Sequence, residues 1–561
     1  MRLLFTLCGG HISPILTAAK ARGIRVVDVR DEATAVFAAD AVARLTGIPG
    51  VAAVTAGPGL TNTITALKNA QLAQSPIVLL GGAAPTALQG RGALQDIDQR
   101  SLVAPHVKLV KKVRRVRDLA PAIDEAFAVA REGVPGPVFV ECPLDLLYDE
   151  ATVRKWYADA SAKGSSLPDR LQRLYLQRHV DRMFARERGA MPRRTNDAAF
   201  PAAVGASIDA AAAALAKAAR PVVVIGSQTL AVPGNAPRIA QAVARLGIPA
   251  YLSGMARGLL GRNHELQMRH HRREALREAD CVLLAGVPCD FRLDYGRHMR
   301  RGSTVIAANR SAREARLNRR PQIAAIGDAG EFLEKLSERF EGPGSRWKDW
   351  IARLRARDAA RESEIDRQAG KGGDFVNPIA LLRAIDRAAG ENALLVADGG
   401  DFVATAAYVV RPRGPLTWLD PGAFGTLGVG AGFALGAALC RPDAEVWMLY
   451  GDGACGYGLV EFDTFVRHGV PAIAIVGNDA SWTQIAREQV KMLHDDVGTV
   501  LARTAYHEVA AGFGAEGILV RNDAEVPEAL ARARAIARQG KPVLVNVWLD
   551  RTGFREGSIS M

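Results

Sequence analysis

Short runs of β-branched and aliphatic residues alternate along this chain with longer stretches whose apolar positions recur at helical spacing. Near the start, Ile24–Val29, Val51–Val54, Ile77–Leu80 and Val138–Glu141 read as buried strands, and helices are predicted over Glu32–Leu45 and Thr61–Ala73 between them. That alternation implies βαβ units on a parallel sheet, because a parallel connection needs a crossover of helix length. The rhythm returns at Pro221–Gly226, Cys281–Gly286 and Thr304–Ala308, and again at Leu394–Ala397, Glu445–Tyr450, Ala472–Val476 and Val543–Val547. An Arg-rich stretch with little pattern separates the first two blocks, and the charged segment Ser345–Lys371 is predicted to be a connecting helix. The expectation is an α/β protein with parallel-sheet domains over 1–150, 204–340 and 377–550. A linker over 151–203, a connecting helix within 341–376 and a tail over 551–561 complete it.

Length agrees: 561 residues make three or four domains of about 150 each. Apolar residues at 48% and charged ones at 23% exclude disorder. The net charge of +13 comes from 72 Lys and Arg against 59 Asp and Glu. Over this length it suits anionic small molecules, and no basic arm or zinc-finger spacing supports a nucleic-acid partner. Six cysteines without a CxxC pair read as buried thiols in a reducing compartment. The uncharged run Pro421–Cys440 reaches membrane length, but its glycines favour a loop followed by a core helix. The opening MRLLFTLCGGH is too short before its glycines for a signal peptide, so a cytoplasmic protein is expected.

Chemistry concentrates in Glu445–Trp482. One strand ends in Gly451-Asp452-Gly453, a helix is predicted over about Leu459–His468, and the next strand ends in Asn478-Asp479. In a right-handed βαβ unit both strands point the same way, so Asp452 and Asp479 arrive at neighbouring C-terminal ends. Two oxygen ligands there suit Mg²⁺ and the phosphates it carries, while the same Gly-Asp-Gly alone is also an ordinary turn with a structural aspartate. In the first block, Asp31-Glu32 opens an Ala-rich helix with Glu32 facing Val36 and Ala39. That glutamate is either a proton-moving acid or a carboxylate stabilising a helix N-terminus. A dinucleotide-dependent oxidoreductase would need a GxGxxG after a strand, and the second block offers only Ile225-Gly-Ser-Gln-Thr-Leu230. A non-catalytic assembly protein would lack the acid and metal residues.

The runs LCGGHISP, AGPGLTNT, GRGALQDIDQ, GMARGLLGRNH, CDFRLDYGR, LDPGAFGTLGVGAGFALGA and GNDASWTQI span essentially the whole chain. They resemble the thiamine diphosphate-dependent acetolactate synthase-like family, in its 2-hydroxyacyl-CoA lyase branch. The resemblance implies three Rossmann-like domains: pyrimidine-binding, central and diphosphate-binding. It implies Mg²⁺ held by Asp452, Asp479 and the Ser481 carbonyl, with aspartate where the family usually has a second asparagine. Gly451, Gly453, Ala454, Gly400, Asp401 and Phe402 would contact the diphosphate, Gly425 and Leu427 the aminopyrimidine, and Pro58 and Asn62 would lie near the cofactor. Glu32 would be the activating acid. His11 would transfer protons, Gln95 orient a carbonyl and Trp482 pack on substrate; His11 equally reads as a buried structural histidine. Glu488 stands where a true synthase usually has tryptophan, which leaves acetolactate synthase as the alternative activity.

Further expectations come with the resemblance. The basic residues Arg257, Arg262, Arg269, Arg272 and Arg273 would face an ADP or CoA nucleotide in the central domain, or form a solvated helix face; FAD is a third candidate. Acyl-CoA and aldehyde or ketone substrates are implied, with a homodimer or homotetramer whose sites lie between subunits. Residues 551–561 would close over substrate. Mammalian members carry an N-terminal membrane anchor that is not expected here, and the sequence is expected to open inside the family's first strand, with the usual leading helix missing.

Overall fold

The structure is a computed structural model that describes residues 1–161, 164, 166–185, 205–340 and 342–556. It forms two compact units, Met1–Arg44 with Ile48–Ala199, and Leu45–Gly47 with Phe200–Met561.

The first unit holds a sheet of β1 (Leu3–Thr6), β2 (Arg25–Asp28), β3 (Gly50–Val54), β4 (Ile77–Ala83), β5 (Val110–Lys112) and β6 (Pro137–Pro143), in the order β2-β1-β3-β4-β6-β5. All its pairings are parallel. β3, β4 and β6 are buried along their whole length, which is why they read as unbroken apolar runs instead of alternating ones. The Arg-rich stretch after this sheet contains the helices Glu150–Asp159 and Leu167–Phe184, the second opened by a capping box between Ser166 and Asp169. The remainder of that predicted linker, from residue 186, lies outside the described residues.

The second unit carries two more parallel sheets of six strands. One contains β7 (Pro221–Ile225), β8 (Ala250–Leu252), β9 (Gln267–Met268), β10 (Cys281–Ala285), β11 (Thr304–Asn309) and β12 (Ile323–Ile326), ordered β12-β11-β10-β7-β8-β9. The other contains β13 (Ala393–Asp398), β14 (Trp418–Leu419), β15 (Glu445–Gly451), β16 (Ala472–Asn478), β17 (Glu516–Val520) and β18 (Val543–Trp548), ordered β14-β13-β15-β16-β18-β17. The order reverses around β13 and β15, so the loops leaving their C-terminal ends diverge and open a crevice there. The run Pro421–Cys440 is a turn followed by the helix Val429–Cys440, buried through Ala437. Among the described residues no helix is long and apolar enough to cross a membrane.

The charged segment forms the helix Lys348–Ala369, and it carries an ionic hub. Glu362 receives Arg269 (3.0 Å), His270 (2.9 Å) and Arg383 (2.6 Å), with Arg411 at 3.4 Å. These partners hold its carboxyl below the usual range against the opposing effect of burial. Glu362→Ala would strand the arginines without their shared counter-ion. It is expected to cost about 3–5 kcal/mol, measured as a lowered urea midpoint. The stabilisation should fade as acid protonates the carboxyl.

Two expectations need correction. Cys8 is exposed; the other five thiols are buried or partly so, and all six are free. The helix expected from about Leu459 starts at Asp452 instead. Asp452–Gly458 is already helical, followed by a single turn at Leu459–Glu461 and the helix Phe462–His468. Gly451 ends β15 and precedes the helix, while Gly453 and Gly458 lie within it at points where a Cβ would meet Trp482 and Ala431.

Candidate active site

A cavity of about 740 Å³ opens at the C-terminal ends of β13, β15 and β16. It gathers Gly400, Asp401, Phe402, Gly425, Leu427, Gly451, Asp452, Gly453, Ala454, Asp479, Ser481 and Trp482. These residues come from segments up to 82 positions apart in sequence, brought together because every strand of the sheet ends on the same side.

Asp452 stands at the first position of its helix, 3% exposed, and accepts N–H bonds from Gly453 (2.8 Å) and Ser481 (3.1 Å). Burial, and then the charge of Asp479, push its pKa up to about 6. Burial raises Asp479 as well, although Thr483 donates to it at 2.5 Å. Two carboxylates that disfavour each other's ionisation are the arrangement a divalent cation relieves, so the donor set fits Mg²⁺. Among the described residues no three His, Cys, Asp or Glu side chains gather as a metal centre.

The loop carrying Asp479 is braced from behind. Asn478 is fully buried; its amide donates to Thr504 O (3.3 Å) and Asn546 Oδ1 (3.2 Å), and Arg503 donates to its carbonyl at 2.7 Å. Ala480 takes φ = +55°, which turns the chain between Asp479 and Ser481, and its carbonyl accepts from Leu501 N–H at 3.0 Å. The side of the crevice formed by β13 is fixed by Asp398, 1% exposed, which accepts N–H bonds from Gly428 (3.2 Å) and Gly430 (2.7 Å). Asp401 is tied to Arg487 across the cavity edge.

Burial raises Asp398 from its ordinary 3.8 to about 7, against those two N–H bonds. The folded protein therefore holds this proton more tightly than the unfolded chain does. The stabilisation is complete below about pH 4 and is lost as the pH rises to about 7, on the order of 4 kcal/mol at about 1.4 kcal/mol per unit. Asp398→Asn is expected to flatten the fall in thermal midpoint across that window, as followed by calorimetry.

The first unit brings together the rest of the predicted residues. Glu32, 7% exposed, opens the helix Glu32–Thr46 and accepts from Asn62 Nδ2 at 3.0 Å. Pro58 starts the short helix Pro58–Thr61, and a Cβ at the next residue, Gly59, would stand 3.4 Å from Glu32 Oε1. His11 Nδ1 lies 3.2 Å from Thr55 Oγ1, and burial lowers its pKa, so the ring is neutral at neutral pH. Gln95 packs on Gly57.

The predicted basic cluster divides. Arg262 pairs with Asp386 (3.3 Å) and Glu391 (3.5 Å), and Arg269 joins the Glu362 hub, so packing supplies both with counter-ions. Arg257 lies over Trp418 and donates to the Ala407 carbonyl (2.8 Å), and Arg272 donates to the Arg292 carbonyl (2.6 Å). Both line the 740 Å³ cavity and a neighbouring basic cavity of about 470 Å³ that also takes in Arg269 and Arg273. Arg555 reaches the larger cavity, and residues 557–561 of the tail lie outside the described residues.

Three parallel sheets and a carboxylate pair beneath a glycine-rich crevice define the class: the chain belongs to the thiamine pyrophosphate enzymes. Residues 1–102 match that family's N-terminal TPP binding domain, 208–336 its central domain and 398–547 its C-terminal TPP binding domain. The chain is 53% identical to the 2-hydroxyacyl-CoA lyase 2 of Bos taurus and 52% identical to that of Homo sapiens, covering all of this chain and 90% of each relative. It is 34% identical to a probable acetolactate synthase of Mycobacterium bovis, over 98% of this chain and 93% of that one.

Proposed function

We propose that the protein is a thiamine diphosphate-dependent carbon–carbon lyase that converts a 2-hydroxyacyl-CoA into formyl-CoA and an aldehyde, and runs in reverse as a condensation. The carrying observation is the identity of about half the residues, along the full chain, with proteins named 2-hydroxyacyl-CoA lyase. The reaction is balanced without a co-reactant. The bond between the hydroxyl-bearing carbon and the thioester carbon breaks, the hydroxyl proton leaves, and the thioester carbon gains a proton.

When bound, thiamine diphosphate supplies a nucleophilic carbon and an electron sink. In this reading Asp452, Asp479 and the Ser481 carbonyl hold Mg²⁺. Gly451, Gly453, Ala454, Gly400, Asp401 and Phe402 surround the diphosphate, while Gly425 and Leu427 line the ring site. Glu32, buried against Asn62, holds a proton for the pyrimidine ring, with Pro58 beside it. Neutral His11 exchanges a proton with substrate, Gln95 orients the thioester carbonyl and Trp482 packs on the acyl part. Arg257 and Arg272 face the phosphates of the CoA nucleotide, with Arg555 of the tail beside the same cavity. The acid and the metal ligands belong to different units of the chain, and we infer an assembly of two or four copies in which one copy's Glu32 serves another's metal site. ADP or FAD in the basic cavity would be a separate resident ligand, detectable in the purified protein by its absorbance.

The test is a product assay with Mg²⁺ and thiamine diphosphate. A 2-hydroxyacyl-CoA should yield formyl-CoA and an aldehyde, and pyruvate should yield no acetolactate. The opposite pattern would assign the synthase reaction.

A further inference from the structure

In the first unit three strand ends converge on one buried amide. Gln99 is 3% exposed and begins the helix Gln99–Val103. Its Oε1 accepts from Gly57 N–H at 3.3 Å, beyond the end of β3. Its Nε2 donates to the Gly82 carbonyl on β4 at 3.0 Å and to Glu141 Oε2 on β6 at 3.2 Å. Both amide protons are thereby used. Glu141, 4% exposed, is in turn held by Lys112 at 2.9 Å.

The two glycines it grips are the points where the backbone meets the predicted substrate-facing residues. A Cβ on Gly57 would stand 2.8 Å from the Gln95 carbonyl oxygen and 3.0 Å from its Cβ. A Cβ on Gly82 would stand 2.5 Å from His11 Cβ. Gln95 has φ = +62°, a conformation that a residue with a side chain keeps only where its surroundings impose it.

We infer that Gln99 is a positioning residue for the reaction: by clamping Gly57 and Gly82 it sets Gln95 and His11 together. The inference rests on the proposed roles of those two residues. Nothing in it requires Gln99 to touch substrate.

Two variants test it in the full-length holoenzyme. Gln99→Leu keeps the volume and removes all three bonds; Gln99→Glu keeps an acceptor for Gly57 but at neutral pH has no proton for Gly82. Gln99→Leu should lower kcat by at least about tenfold, given that ångström-scale misplacement costs up to about a hundredfold. KM and thiamine diphosphate affinity should stay within about threefold of wild type, since Glu32 and Asn62 are bonded to each other and not to Gln99. Amide hydrogen exchange in the same variant should quicken at Gly57 and in peptides spanning His11 and Gln95. Gln99→Glu should lose turnover at pH 8 and recover relative to wild type towards pH 6, where protonation of the new carboxyl beside Glu141 restores a donor. Unchanged kcat with unchanged exchange in Gln99→Leu would overturn the inference, as would turnover lost only in proportion to folded protein. If the wild-type enzyme produced no formyl-CoA, the proposed activity would fail, and the exchange measurement would still decide whether Gln99 sets the two loops.

Discussion

Glu32→Gln is expected to leave thiamine diphosphate binding nearly intact while turnover falls by about 10²–10⁴, the usual contribution of a positioned proton-transfer group. Glutamine has the same shape and can still bond Asn62 Nδ2 through its oxygen, so the local packing around the 3.0 Å contact should survive. What it cannot do is hold and release a proton at the carboxyl oxygen. Because the carboxylate is buried at a helix N-terminus, solvent cannot readily substitute for it. The measurement is a pair: cofactor titration by tryptophan fluorescence and formyl-CoA release under saturating cofactor. Wild-type turnover in the variant would remove Glu32 from the chemistry.

Asp452→Ala is expected to act at the opposite level, on binding. Removing one of two carboxylates from the proposed cation site should weaken Mg²⁺-dependent thiamine diphosphate uptake on the order of 100-fold, equivalent to about 3 kcal/mol. It also deletes the acceptor for Ser481 N–H, so the loop after β16 loses its link to β15. Asp479→Asn is the informative companion. It keeps an oxygen ligand, removes a negative charge and relieves the repulsion that raises Asp452, so binding should persist with an altered Mg²⁺ dependence. Isothermal titration with and without Mg²⁺ separates the two outcomes, and equal affinity for wild type and Asp452→Ala would refute the assignment.

The long strands and the separation of the acid from the metal ligands were legible because fully buried parallel strands leave unbroken apolar runs, and strand ends carry the chemistry. Asp452 and Asp479 could be placed side by side from βαβ handedness alone. The strands β5, β8, β9 and β14 escaped notice because two or three residues carry no period, and the edge strands β12 and β17 because they are only partly buried. The fates of Arg262 and Arg269 were hidden for another reason: their counter-ions Asp386 and Glu362 lie more than 90 positions away, and only packing reveals such pairs. Gln99 and Asp398 were missed because their importance lies in backbone groups they hold, which no side-chain motif announces. Asp398 did sit at a strand end before two glycines, the one local sign available.

The contact between Gly453 and Trp482 limits how this site can change over generations. A Cβ at residue 453 would stand 2.3 Å from Trp482 Cη2, well inside contact distance. A side chain at that position requires the tryptophan ring to shift, and shrinking the tryptophan first would leave a gap beside the turn that carries Asp452. The two positions can drift only as a linked pair, through an intermediate that is poorer at its task. A mutational library should therefore recover combined changes at 453 and 482 and be depleted of changes at 453 alone.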